Sequence, residues 1–344
     1  MARERGMDFL ENEVVYKGEK YCFMDLEVAL TYCLFLEFPF LVPLSEDNFV
    51  LIEHPKEKML EAMKTYQQKG LKSILLKEEH YVGLLMKIRV KLQQEFQKHK
   101  DGSGEQKGQK NIVEDFEKFH PMVHDALTNV GITPATVNMA KAISEHVVTV
   151  CQNNKSLVST LSSFRSRCQS EYVKSMCVSY LVTSMMDKCT WNTRPIQEKV
   201  VLAALLSDAT LKRQDFALLE SYLVDRTVKL SERILNHPIE AAKKLREQGV
   251  DAMETLTVIE EHHEMPDGSG FPKKLTARNI APLSAIHIVA RHFVEHIMRE
   301  SEDNPMDLDK AFIYIYNTFC EGNFKQACSA LFQVLGKDSD PMIR

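Results

Sequence analysis

The sequence predicts a mainly α protein: an all-helical domain over residues 111–344 behind a small α/β module over residues 1–97. Past residue 110, apolar residues recur at helical spacing through segments such as TPATVNMAKAISEHVVTVC, SEYVKSMCVSYLVTSMM and DLDKAFIYIYNTF, with few strand signals. Between the two parts, KHKDGSGEQKGQK (98–110) holds three glycines and no large apolar side chain, so it reads as a flexible linker. A length of 344 residues also fits a prior of roughly two domains.

Taken in order, FLVPLSEDNFVLIE and LKSILLKEE have the apolar content of short strands. They flank a helix from Pro55 to Lys69 that stops at Gly70, a residue that takes the left-handed backbone past a helix end without strain. A further helix starts near His80 and runs toward the linker. In the second part Thr133 followed by Pro134 marks a helix start, because proline lacks only an N–H that the first helical position leaves unpaired anyway. No internal repeat is present.

The chain is 44% hydrophobic and 26% charged, which is globular composition. Its 43 Lys and Arg against 48 Asp and Glu give a formal charge of -5, so no DNA partner is expected. Eight cysteines (22, 33, 151, 168, 177, 189, 320 and 328) lack CxxC spacing and read as buried thiols in a reducing compartment. The start, MARERGMDFLENEVVYKGEKY, has no apolar core of a secretory signal, and the apolar run from Tyr32 to Leu44 is broken by Glu37, Pro39 and Pro43. A cytoplasmic protein without a membrane span is therefore expected.

Chemistry-bearing residues concentrate in HHEMPDGSGFP, His262 to Pro272, which follows the helical stretch AMETLTVIEE. Upstream stand LNHPIEAAKKL, with His237 before Pro238, and LAALLSDATLK, with Asp208 closing an apolar helix. Imidazole nitrogen and carboxylate oxygen are ligands that zinc, iron and manganese accept, and three His with one Asp make a nearly complete ligand set.

These segments, in this order over about residues 112–335, resemble the HD-GYP branch of the HD superfamily, metal-dependent phosphodiesterases acting on cyclic di-GMP. The family loop reads HHExxDGxGYP. Here Asp267, Gly268, Gly270 and Pro272 are kept, and Phe271 replaces the tyrosine, retaining a ring but losing a hydroxyl. The family's first ligand histidine, four residues after a tyrosine, falls on Met176, its HD histidine on Ser207, and its final aspartate on Arg291. The lysine three residues past the HD aspartate falls on Leu211, with Lys212 adjacent.

If the family's division of ligands carries over, three of four are lost at one metal and all four kept at the other: Asp208, His237, His262 and His263. Met176 offers a soft thioether, Ser207 a weak hydroxyl, and Arg291 a permanent positive charge. That guanidinium is placed to pair with Asp208 in lieu of a metal. The resemblance thus implies one divalent ion (iron, manganese or zinc) or none, with Asp208, Lys212 and Arg291 as candidate catalytic residues. It also implies a bacterial signalling protein that binds cyclic di-GMP, a related nucleotide, or a GGDEF-type or other signalling protein, with little or no hydrolysis.

The alternative is a divergent cyclic di-GMP phosphodiesterase with a single-metal centre. A third reading is a structural domain whose four retained residues are simply hydrogen-bonded. The N-terminal module reads as a sensory or interaction domain, and the apolar stripe from Phe312 to Phe319 serves either the core or a homodimer.

Three look-alikes read as structure. His292, Glu295 and His296 spell HxxEH but fall on an ordinary helix; His120 and His124 are expected on a surface face; Gly102, Ser103 and Gly104 lack the GK[ST] of a phosphate loop. Met176, Met185 and Met186 are expected in the core.

Overall fold

In a computed structural model of the chain, residues 13–45, 48–53, 56–100, 110–151, 161–162, 171–225, 227–299 and 307–337 are described. The chain is mainly α and divides into two compact units, Met1–Ser103 with Pro121–Met139, and Gly104–His120 with Ala140–Arg344.

The first unit is built on an antiparallel sheet of β1 (Glu13–Tyr16), β2 (Glu19–Asp25), β3 (Phe40–Ser45), β4 (Asn48–Ile52) and β5 (Ser73–Lys77), in the order β1-β2-β5-β3-β4. Strand alternation sends Cys22, Met24, Ile74, Leu76, Phe40, Val42 and Ile52 to one face, where all are buried. Helices α1 (Leu26–Thr31) and α3 (Glu78–Lys100) pack on β2 and β5, and α2 (Lys56–Gln68) packs on α1. The opposite face carries Tyr21, Leu41 and Leu75 under a half-buried rim that includes Tyr16, Phe23 and Phe49. Helix α2 ends at Gln68, and Gly70, at φ +86°, turns the chain just beyond it.

The unit also takes the second half of α4 (Lys110–Asn129). Asp125 of that helix is buried, and its carboxylate accepts hydrogen bonds from the Asp25 backbone N–H (3.1 Å), Asn129 Nδ2 (2.9 Å) and the Tyr81 hydroxyl. Burial, opposed by these bonds, pushes the Asp125 carboxyl up to about 7.

From Ala140, inside α5 (Pro134–Cys151), the second unit continues with α6 (Glu171–Met186), α7 (Arg194–Leu206), α8 (Arg213–Val224), α9 (Glu232–Glu247), α10 (Met253–Glu261), α11 (Pro282–Arg299), α12 (Leu308–Phe319) and α13 (Phe324–Val334). Helix α7 is buried from Val200 through Leu206, as VVLAALL demands, and packs against α6 and α10. Helix α11 packs on α6, α10, α12 and α13. No helix among the described residues is long and apolar enough to cross a membrane.

Several expectations change. Helix α3 runs through residues 98–100 and α4 begins at Lys110, so both ends of the expected linker are helical, and 101–109 lie outside the described residues. Lysine and histidine there continue a helix at little cost. His120 is in the core rather than on a surface face, and His124 is half-buried. Strands β1 and β2 were not expected. Of the cysteines, 22, 33, 151, 177, 189 and 328 are buried, Cys320 is half-buried, and Cys168 lies outside the described residues. Met176, Met185 and Met186 are fully buried.

Candidate metal centre

Two helix ends and one helix interior bring the retained residues together. Asp208 follows Ser207, the residue capping α7, and stands in the turn that leads to α8. His237 lies within α9, immediately before Pro238. Proline has no N–H to give the carbonyl four residues back, so Ile234 O is released and accepts His237 Nδ1–H at 2.6 Å. His262 caps α10, where the last carbonyls lose their helical partners, and its Nδ1–H is donated to Ile259 O at 2.6 Å.

A carbonyl oxygen only accepts, so both imidazoles carry their proton on Nδ1 and present a bare Nε2 lone pair. Those two Nε2 atoms face each other at 3.2 Å, and each is 3.3 Å from Asp208 Oδ1. His263 Nε2 lies 3.9 Å from the same oxygen and is buried without a hydrogen-bond partner. The four donor atoms fall within 4.8 Å of one another, and no other such group of His, Cys, Asp or Glu occurs among the described residues. Converging lone pairs with no proton between them repel, and a cation is the group that relieves this. Separations of about 3.3 Å are also what a tetrahedral ion with ligands at roughly 2.0–2.1 Å requires.

The surroundings hold the His262 and His263 rings neutral and the carboxylate charged. Burial lowers His262 to about 4, against the pull of Asp208, and burial with the nearby Arg291 holds His263 well below its ordinary value. Burial would raise the Asp208 carboxyl, but the Arg291 guanidinium beside it holds it well below the usual carboxylate range. Arg291, on α11, donates Nη1–H to Asp208 Oδ2 at 3.2 Å and Nε–H to Glu295 Oε1 at 2.9 Å. Asp208 therefore turns one oxygen to the histidines and the other to a guanidinium.

The GYP-like loop is backbone-defined, as its glycines imply. Asp267 Oδ1 accepts from Ser269 N (2.9 Å) and Oγ (2.6 Å), Gly268 sits at φ +79°, and Phe271–Pro272 is a cis peptide. Glu264, fully buried, accepts the N–H groups of Lys273 (2.6 Å) and Leu275 (2.8 Å) and so closes the loop on itself. Phe271 is buried against Leu211, Leu219 and Ile234, and its ring stacks on His263 with centroids 4.5 Å apart. From behind, Asn323 donates its N–H to Ala277 O (3.0 Å) and Nδ2–H to Ile280 O (2.7 Å) and Arg278 O (3.3 Å).

Met176 and Ser207 are buried, and Lys212 heads α8 with its N–H donated to Asp215 Oδ2 at 2.7 Å. The HxxEH residues disperse: Glu295 serves Arg291, while His292 contacts Tyr314 and His296 stacks on it. Two roles escaped the sequence reading. Glu295 is the acceptor that orients Arg291, and His287 is buried beside His262 with neither ring nitrogen partnered. Their signal was the four-residue spacing His287–Arg291–Glu295 on one helix face.

A helical bundle that converges three buried imidazoles and a carboxylate presents a candidate site for a divalent ion. Residues 139–318, more than half of the chain, match the family model described as an HD domain, and the chain belongs to that family. HD domains typically bind divalent metals, consistent with this His/Asp cluster. Among solved structures, Bd1817, described as a HDG"Y"P protein from Bdellovibrio bacteriovorus, superposes with a TM-score of 0.54 at 16% identity, covering 92% of this chain and 99% of that one. At 16% identity this is a likeness of fold. No curated protein matches the chain in sequence.

Proposed function

We propose that the chain is a degenerate HD-GYP signalling protein that holds a single divalent ion on Asp208, His237, His262 and His263. It binds cyclic di-GMP, a related nucleotide or a signalling partner, with little or no hydrolysis. The observation that carries this is the Arg291–Asp208 pair, a guanidinium lying where the family pattern has a further carboxylate ligand. Together with Met176 and Ser207 it leaves no second ligand set. The unit over residues 1–97 acts as the sensory or interaction module in this reading.

A bound divalent ion supplies Lewis-acid charge for a phosphoryl oxygen. The chain's own residues supply the rest: Phe271 holds the His263 ring in place, the Ile234 and Ile259 carbonyls fix which nitrogens of His237 and His262 face inward, and Glu264 fixes the loop. The intact four-donor set also favours a second reading, a divergent phosphodiesterase working with one ion.

The test is elemental analysis of protein purified without chelator, beside the His262→Ala/His263→Ala variant, followed by cyclic di-GMP binding and turnover. About one metal per chain, lost in the variant, with binding but no turnover above background, is the expected result. Metal-dependent turnover abolished by Asp208→Ala would establish the second reading, and absence of metal from the wild type would overturn both.

A further inference from the structure

Helix α11 delivers Arg291 to the centre with two carboxylates already on it. Its Nε–H goes to Glu295 Oε1, one turn along the same helix, and Nη1–H goes to Asp208 Oδ2. A guanidinium has five N–H donors, and two are thereby used. Among the described residues no acceptor meets the Nη2 hydrogens. The side chains of Arg291 and Asp208 keep 12% and 28% of their exposure, so solvent reaches the centre on this side while the three histidines are sealed.

The split of Asp208 matters most. A carboxylate that bridges two cations gives one oxygen to each, and Asp208 does so here: Oδ1 toward the three Nε2 atoms, Oδ2 toward Arg291. Resting on the single-ion reading above, we propose that Arg291 is the resident second cation of the centre and its oxyanion-binding residue, clamping a phosphate group between its Nη2 edge and the ion.

The charges decide when this works. Asp208 and Glu295 outnumber Arg291 in the metal-free centre, which is net negative and repels an anion. A divalent ion reverses the sign and leaves one positive charge uncompensated, directed to the side that solvent reaches. Guanidinium N–H groups also match the oxygen spacing of phosphate and stay protonated at all relevant pH values. Phosphate binding is therefore ion-dependent and Arg291-dependent, and a second ion is never taken up.

The experiment is calorimetric titration of inorganic phosphate into zinc-loaded protein, with zinc stoichiometry measured first by elemental analysis. Wild type should hold one zinc and bind phosphate, whereas metal-free wild type should not bind it. Arg291→Met should keep one zinc and lose phosphate affinity by about 10- to 100-fold, the range expected for a lost charge-assisted contact. Because that variant strands Glu295, Arg291→Met/Glu295→Gln serves in its place if the single variant fails to fold. Zinc-loaded wild type that ignores phosphate, or an Arg291 variant that binds it as wild type does, overturns this inference and leaves the single-ion reading standing. A wild type that takes no zinc removes that reading first.

Discussion

Two glycines of the GYP-like loop, only two residues apart, are required for different physical reasons, and replacing each by alanine separates them. At Gly270 a Cβ would lie 2.3 Å from Met265 N, 2.5 Å from Glu264 Cα and 2.6 Å from Glu264 C, all backbone atoms. Comfortable contacts need about 3.5–4.0 Å, so the strand of loop must retreat by roughly 1 Å. Overpacking of this kind costs about 1–3 kcal/mol. The retreat also strains the Lys273 and Leu275 N–H bonds to the Glu264 carboxylate, each worth about 1.5–3 kcal/mol. Gly270→Ala should therefore destabilise the helical unit by about 3–6 kcal/mol. At Gly268 the nearest atoms to a Cβ are Lys274 O at 3.6 Å and Thr276 Cγ2 at 3.7 Å, so space is adequate and only the φ of +79° is adverse. Gly268→Ala should cost about 1–2 kcal/mol. Urea unfolding with matched m-values reads both, and equal losses in the two variants, or a loss under about 1 kcal/mol at Gly270, would refute the close-approach argument. Displacement of Phe271 from His263 should also reduce metal content in Gly270→Ala and spare it in Gly268→Ala.

Acid stability should differ between the two units. His262, lowered to about 4 from 6.5, stays neutral in the fold while the unfolded chain takes up a proton, so the metal-free helical unit loses about 3 kcal/mol as pH falls from 6.5 to 4; an unfolding midpoint flat over that range contradicts it. Asp125 has the opposite sign: raised to about 7 from 3.8, it stays protonated in the fold while the unfolded chain ionises, so the first unit loses about 4 kcal/mol as pH rises from 4 to 7. Asp125→Asn should abolish that slope and stabilise the first unit at pH 8; an unchanged slope would assign it to other groups.

The four centre donors were legible in the sequence because each sits on local punctuation: a helix end, a His-Pro step, a His-His pair before glycines. The same local chemistry turns out to set the ring tautomers, since Pro238 releases the carbonyl that His237 uses. Phe271 was readable as a ring, but its seat against Leu211 and Ile234 was not, being made by residues far apart in the chain. Glu295 was dismissed with HxxEH because a motif match hides an i, i+4 partner; Arg291 gave the cue. The β1–β2 hairpin was missed although Lys17 and Gly18, both at positive φ, make a tight turn between alternating residues. The Asp125 network depends on Asp25, a hundred positions away, and pattern reasoning has no access to such pairings.

The hold of Asn323 on the Ala277–Ile280 stretch has a consequence for the order of synthesis. Gly322 passes so close that a Cβ there would lie 2.6 Å from Ala277 O, so the clasp accepts no larger residue without displacement. It joins Asn323 to Arg278 across 45 positions, which a ribosome adding about 5–20 residues per second covers in roughly 2–9 s. For that interval the nascent chain owns every donor of the metal centre but not the brace behind its loop. Under the single-ion proposal, an ion captured during translation would meet a looser site than the finished protein offers.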